Sequence, residues 1–180
     1  MGAHLAFLDE TGFLLIPTVR RTWAPRGQTP VLRHPQRRDR LSTLAALTVS
    51  PRRHHLGLYV RWQPTNYHAA EIVGFLRALL RHLRGPIVLL WDRASIHQGP
   101  LVAAFLGAHP RLHVAHFPGY APELNPAEFV WTQAKGWMAN SAPPALADLG
   151  RRLGRATRRL HRSQDLLWAC IAMSDLPWRR

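Results

Sequence analysis

Residues 86–92, "PIVLLWD", hold five consecutive apolar residues between a Gly85-Pro86 stop and an acid. No polar residue alternates with them, as expected of a strand covered on both faces. Periodicity alone does not separate such a run from buried helix, but its shortness and Gly-Pro flank favour a strand. A strand of this kind needs a layer of helix on each side, which directs the chain toward an α/β sheet.

The flanking sequence supplies those layers. In 66–84, Ile72, Leu76, Leu79 and Leu83 share one face, joined by Phe75 and Leu80, the spacing of an amphipathic helix. Thr65 or Asn66 is the expected cap and Gly85-Pro86 the stop. A helix is expected at about 99–108, a strand at 112–118, a helix at 126–138, and one or two basic helices from 144. Ahead of the central run, "HLAFLD" (4–9) and "GFLLIPTV" (12–19) read as strands on either side of a Thr11-Gly12 turn. Residues 41–50 and 54–60 read as two more, joined by Pro-Arg-Arg. The order is a β-meander followed by β-α-β-α, a mixed sheet. Right-handed crossovers place the strands at 86–92 and 112–118 alongside the first. No repeat or clear linker interrupts the chain, so residues 1–140 are expected to form the α/β domain and 141–180 a basic helical extension packed on it.

The charge is lopsided. Across 180 residues, 24 basic and 10 acidic side chains leave +14. A chain this basic points to a polyanion, with nucleic acid foremost. Lys135 is the only lysine, and arginine suits phosphate because its fork donates bidentately. Residues 20–40 carry seven arginines and one acid, an exposed basic loop in which Arg37 and Arg38 are candidate DNA contacts. Arg77, Arg81 and Arg84 form a stripe on the 66–84 helix, the pattern of a solvated face. No segment reaches the roughly 20 apolar residues of a membrane span, and the first residues lack the pattern of a signal peptide. Cys170 is the only cysteine, so no intrachain disulfide forms and a cytoplasmic location is expected.

With ten acids in all, each position can be weighed. Asp9 closes the first strand, Asp92 closes the central one, and Glu128 opens the helix after the last. Ligands of open α/β sheets bind at the carboxyl ends of strands, where these three converge. Clustered carboxylates push one another's pKa up. Mg²⁺, which takes oxygen ligands, offsets that cost, and two such ions about 3.5–4 Å apart can activate an attacking oxygen and stabilise a leaving one. Glu128 has a second reading. Asn125-Pro126 is a helix start that puts Glu128 at the third helical position, where a capping box would return it to the Asn125 amide. Glu10 should face away from Asp9, as a supporting residue at most. His97 reads equally as a neighbour of the site or an ordinary helix-start residue, and Trp131 reads as core. His109, His113 and His116 are not a zinc set, since the last two alternate across a strand.

Three phrases then stand together: "FLDETGF" (7–13), "LLWDRASIH" (89–97) and "GYAPELNPAEFVWTQAK" (119–135). They resemble the three acid motifs of DDE transposases, in the mariner-related branch found in bacterial insertion sequences, over about residues 4–138. The resemblance implies an RNase H-like fold, a central mixed five-stranded sheet flanked by helices. It implies Asp9, Asp92 and Glu128 as the catalytic, metal-binding triad for two Mg²⁺ ions, with Mn²⁺ as substitute. The implied reaction is DNA cleavage and strand transfer without a covalent protein intermediate, at TA dinucleotides, in a homodimeric synaptic complex associated with the bacterial nucleoid. Lys135, two helical turns beyond Glu128, is a candidate phosphate contact. Arg93 stands where the family usually has Asn, and is another. Family members carry helix-turn-helix domains ahead of the catalytic one, whereas Asp9 lies eight residues from Met1. A separately encoded helix-turn-helix half, or a truncated copy, is therefore expected. Rival readings are a catalytically silent DNA-binding remnant and an RNase H-like nuclease that cuts without strand transfer.

Overall fold

The computed structural model describes residues 2–34 and 38–178, so Arg37 lies outside the described residues. The strands are β1 (His4–Leu14), β2 (Arg40–Val49), β3 (Leu56–Gln63), β4 (Ile87–Trp91) and β5 (Leu112–His116). The helices are α1 (Ala69–His82), α2 (Pro100–Gly107), α3 (Pro126–Met138), α4 (Leu146–His161) and α5 (Gln164–Met173). The sheet order is β3-β2-β1-β4-β5. The first three strands are antiparallel, and β1, β4 and β5 are parallel. This is the mixed five-stranded sheet expected from the motifs.

Two local expectations are corrected. The Thr11-Gly12 turn does not form, because β2 pairs with β1 along its length, setting Thr11 opposite Thr43 and Gly12 opposite Ser42. The Thr43 hydroxyl also donates to the Thr11 carbonyl at 2.6 Å, so the first expected strand and the start of the second are one, which ends at Leu14, and residues 15–19 form no strand. The cap of α1 is His68, not Thr65 or Asn66. There the carboxylate of Glu71 accepts from the His68 amide at 2.9 Å, completing a capping box. Asn66 is engaged elsewhere, accepting from Arg40 with its side chain and from Gln63 with its carbonyl.

Alternation along β1 divides the core. Leu8, Leu44, Leu89 and Trp91 pack with Ile72, Leu76 and Leu79 of α1 and Phe105 of α2 on one face. Phe7, Ala45 and Leu47 pack with Val130 and Trp131 of α3, Leu153 of α4 and Leu167 of α5 on the other. Each fully buried Leu here contributes roughly 1.5–3 kcal/mol relative to exposure.

One detail of the register sets where the acids lie. Pairing of β1 with β4 stops at Phe7 opposite Leu90, while β1 runs on to Leu14 against β2. A fork therefore opens between β1 and the end of β4, at the point where the chain's connections switch from one side of β1 to the other. Such switch points are where α/β sheets hold ligands. Among the described residues, no helix is long and apolar enough to cross a membrane.

Candidate active site

Asp9 and Asp92 stand on the two arms of that fork, and α3 brings Glu128 to it. The start of α3 is built as its sequence suggests: Pro126 occupies the first turn and the Asn125 side chain accepts from the Ala127 amide at 3.1 Å. The capping box does not follow. The Asn125 amide donates to the Pro122 carbonyl at 2.9 Å, so the Glu128 carboxylate has no capping duty. Asn125 does a second job: its Nδ2, buried, donates to the Leu8 carbonyl at 3.2 Å. That bond ties the N-terminus of α3 to the residue before Asp9.

Asp9 is held by the same helix. Trp131, three residues past Glu128 and therefore on the same side of α3, donates its indole N–H to Asp9 Oδ2 at 2.7 Å. Burial, then the nearby charge of Glu128, pushes the Asp9 carboxyl from 3.8 up to about 8; Glu10 and Asp92 add to the rise and the Trp131 hydrogen bond opposes it. Among the described residues neither Asp9 nor Glu128 is in an ion pair with Arg or Lys.

Asp92 is exposed just past β4, and its Oδ1 accepts from the Ala94 amide at 2.9 Å. The same oxygen lies 2.9 Å from Nδ1 of His97. His97 is buried in the short 3₁₀ turn Ser95–His97 and stacked on Trp91, with ring centroids 4.2 Å apart and planes 4° from parallel. Its Nε2 lies 2.9 Å from Glu10 Oε1. Burial pulls the His97 pKa down, but the hydrogen bond and charge of Glu10, with Asp92 behind them, outweigh it and hold the ring above its ordinary value. Glu10 thus faces away from Asp9 as alternation requires, yet it reaches Asp92 through His97.

Asp9, Asp92 and Glu128 line one open cleft, with Arg93, Tyr120 and Asn125. Tyr120 is fully exposed at φ 57°, a left-handed backbone that sets its ring at the cleft mouth. Lys135 is not in the cleft. It donates to Thr11 Oγ1 at 2.9 Å and lies 5.7 Å above the Phe13 ring. Arg38 is exposed and also outside the cleft. Glu10 takes the supporting place the sequence allowed it and His97 is the neighbour of the site rather than an ordinary helix-start residue, whereas Trp131, read only as core, has a bond to Asp9 that went unrecognised. A signal existed for Trp131: a buried indole has a donor and no acceptor, so at this spacing from Glu128 it needed an oxygen nearby.

Among the described residues, no three His, Cys, Asp or Glu side chains are drawn tightly enough to cage an ion. The three cleft carboxylates nonetheless fit a hard divalent cation. They form an all-oxygen donor set, and Asp9, raised by burial first and then by the charge of Glu128, is a carboxyl whose ionised form a cation would favour.

Comparison with known proteins bears on the family and the fold. The family model of the DDE superfamily endonuclease matches residues 4–149. The Mos1 transposase strand transfer complex superposes with a TM-score of 0.67 at 18% identity, over 93% of this chain and 50% of that one. The catalytic domain of Mos1 mariner transposase gives 0.52 at 15%, over 93% and 80%. The HTLV-2 integrase catalytic core domain, solved with magnesium, gives 0.51 at 10%, over 90% and 88%. These likenesses are of fold, and the fold is RNase H-like. The chain spans about half the length of the Mos1 chains in the paired-end and strand transfer complexes. No curated protein sequence matches it.

Proposed function

This chain belongs to the DDE superfamily endonuclease family, and on that footing we propose that it is the catalytic domain of a DNA transposase, cutting and joining phosphodiesters with Asp9, Asp92 and Glu128. The observation that carries the reading is the fork. Three acids from β1, the end of β4 and the start of α3 line one cleft, and Asp9 is raised to about 8 by burial and by Glu128.

Asp9, Asp92 and Glu128 would hold the metal, two Mg²⁺ ions or Mn²⁺ in their place. When bound, these ions supply a polarised attacking oxygen and a stabilised leaving oxygen. The chain's own residues do the positioning. Trp131 fixes the Asp9 carboxylate, Asn125 fixes the distance between α3 and β1, and His97 fixes Asp92. Arg93, exposed at the cleft, offers a charged fork to a phosphate. The attacking group is water or a DNA 3′-hydroxyl, and the protein forms no covalent link to the strand.

The same proposal covers the setting: an insertion sequence of the mariner-related branch in bacteria, a TA target whose steps bend easily, and a homodimeric complex on transposon ends read by helix-turn-helix domains. Residues 141–180 belong to the catalytic unit, since α4 and α5 cover the same face of the sheet as α3.

The test is a thermal melt with Mn²⁺ or Mg²⁺, followed by cleavage of a labelled duplex. At 100 times its dissociation constant the ion should stabilise the wild type by about 2.7 kcal/mol. Glu128→Gln should gain nothing and cut nothing. A Glu128→Gln chain that gains and cuts like the wild type would remove Glu128 from the site.

A further inference from the structure

From Leu149 to Gln164 the chain holds six arginines and no acid. Most of this stretch is α4, and at about 100° per residue its side chains sort into two fronts. Leu149, Leu153, Ala156 and Leu160 fall on the inner side and are buried against the sheet and α3. Arg151, Arg155, Arg158 and Arg162 fall within an arc of about 60° on the outer side and are all exposed. Arg152 and Arg159 lie in a second row beside them. Arg159 is stacked on Trp137, its guanidinium carbon 4.3 Å from the ring centre.

An ordinary solvated helix face mixes signs, because like charges at i, i+4 destabilise a helix and opposite charges stabilise it. Here 151–155, 155–159 and 158–162 are all like pairs. Arg151 alone has an acid, Asp148, one turn back. Arg158 and Arg159 gain something from the helix C-terminus, but Arg151 and Arg155 lie too far from it. Among the described residues, Arg155, Arg158 and Arg162 form no ion pair. The row borders a groove between α4 and the edge strand β3, whose wall is the half-exposed indole of Trp62 against Gly150 and Gly154. A side chain at either glycine would meet that ring at 3.5 Å.

We propose that the outer arginine row of α4 is a docking surface for the phosphate backbone of duplex nucleic acid, separate from the catalytic cleft. The row runs about 16 Å from Arg151 to Arg162, and a duplex carries one negative charge per about 1.7 Å of its axis, so several phosphates meet the row. Guanidinium forks match phosphate oxygens bidentately, and repulsion along the row is relieved when a polyanion lies across it. The surface goes beyond the cleft reading, because it needs no metal and none of the three acids.

The test is binding of a labelled 30-base-pair duplex in chelator, followed by anisotropy from low to moderate salt. Each lost phosphate contact lowers the slope of log K against log salt by about 0.9. Arg155→Gln/Arg158→Gln/Arg162→Gln should lower it by about 2.7 and weaken binding at low salt by roughly tenfold or more. The matching triple Lys variant should keep the slope, which separates lost charge from lost fold. Arg77→Gln/Arg81→Gln/Arg84→Gln, on exposed positions of α1 and just beyond it, should leave the slope unchanged. An unchanged slope in the α4 variant overturns the proposal, and so does an equal fall in the α1 variant. Loss of binding to phosphatidylserine vesicles with duplex binding retained overturns it in favour of a membrane. A chain that shows the α4 effect but never cuts DNA keeps this surface and removes the cleavage reading.

Discussion

Replacing Asp9 with Asn should make the metal-free protein more stable while abolishing its chemistry. The carboxyl ionises near 3.8 when unfolded and only near 8 in the fold. At about 1.36 kcal/mol per pH unit, keeping it neutral at pH 7 costs about 4 kcal/mol. Asp9 keeps some contact with solvent, so about half of that, ~2 kcal/mol, is expected to be realised. For a chain of this size that is a rise in Tm of about 4–8 °C. Asn preserves an oxygen acceptor for Trp131, so the hydrogen bond that holds the side chain persists. The sign follows from a folded pKa raised above the unfolded one. The stability attached to the neutral carboxyl is complete below pH 3.8 and is lost as pH rises through about 8. The gap in Tm between Asp9→Asn and wild type should therefore be near zero at pH 4, widen through neutrality and level off above pH 8. Differential scanning fluorimetry in chelator across that range measures it. Saturating Mn²⁺ should then narrow the gap by stabilising only the wild type. A gap that is flat with pH, or an Asn variant less stable than wild type at pH 7, would refute the account of Asp9 as a carboxylate crowded by burial and Glu128.

Other residues separate positioning from ligation. Asn125→Ala should cost about 1–2 kcal/mol in chemical denaturation, because it removes the α3 cap and the bond to Leu8, whereas Glu128→Gln should cost nothing in the same assay without metal. Trp131→Phe removes the one hydrogen bond that lowers the Asp9 pKa. It should cost about 1–3 kcal/mol and move the alkaline shift of Asp9 further, seen in the pH profile of cleavage. Glu10→Gln should lower the His97 pKa, read from the imidazole C–H resonance by NMR. Because the folded pKa of His97 is raised, its pairing stabilises below pH 6.5 and is lost as pH rises through the folded value. The Glu10→Gln penalty should therefore be plain at pH 6 and small at pH 9.

Much of this architecture was legible before any coordinates. The apolar run at 87–91 announced a two-sided strand, and the helix face built on Ile72, Leu76 and Leu79 announced one of its covers. The three acids stood out because a chain with 24 basic side chains has few acids to distribute. What escaped was whatever depends on partners distant in sequence. Gly12 resembles a turn until β2 is seen pairing straight through it. His68 is a weak cap by residue type, and it serves because Glu71 lies three residues on and Asn66 is occupied. Glu128 at the third position of α3 looks like a capping glutamate, and only the Pro122 carbonyl, which takes the Asn125 amide first, shows that it is free. Glu10 and His97 are 87 positions apart, so nothing local relates them.

The strand order has a consequence for how the chain comes to be folded. β1, β2 and β3 are consecutive in sequence and form a meander through closures of shorter range than the one that brings in β4. β4, which must pair with β1 from the opposite side, follows some 70 residues after the end of β1. Closing so long a loop costs entropy before any contact rewards it. Through that interval β1 presents an unpaired edge, in a segment that reads "HLAF". On a ribosome the edge is exposed until α1 and β4 have emerged, and an unprotected edge is a template for pairing with another chain. The acids at positions 9, 92 and 128 cannot meet until that closure is complete, so the site proposed at this fork is silent in every partly folded form of the chain.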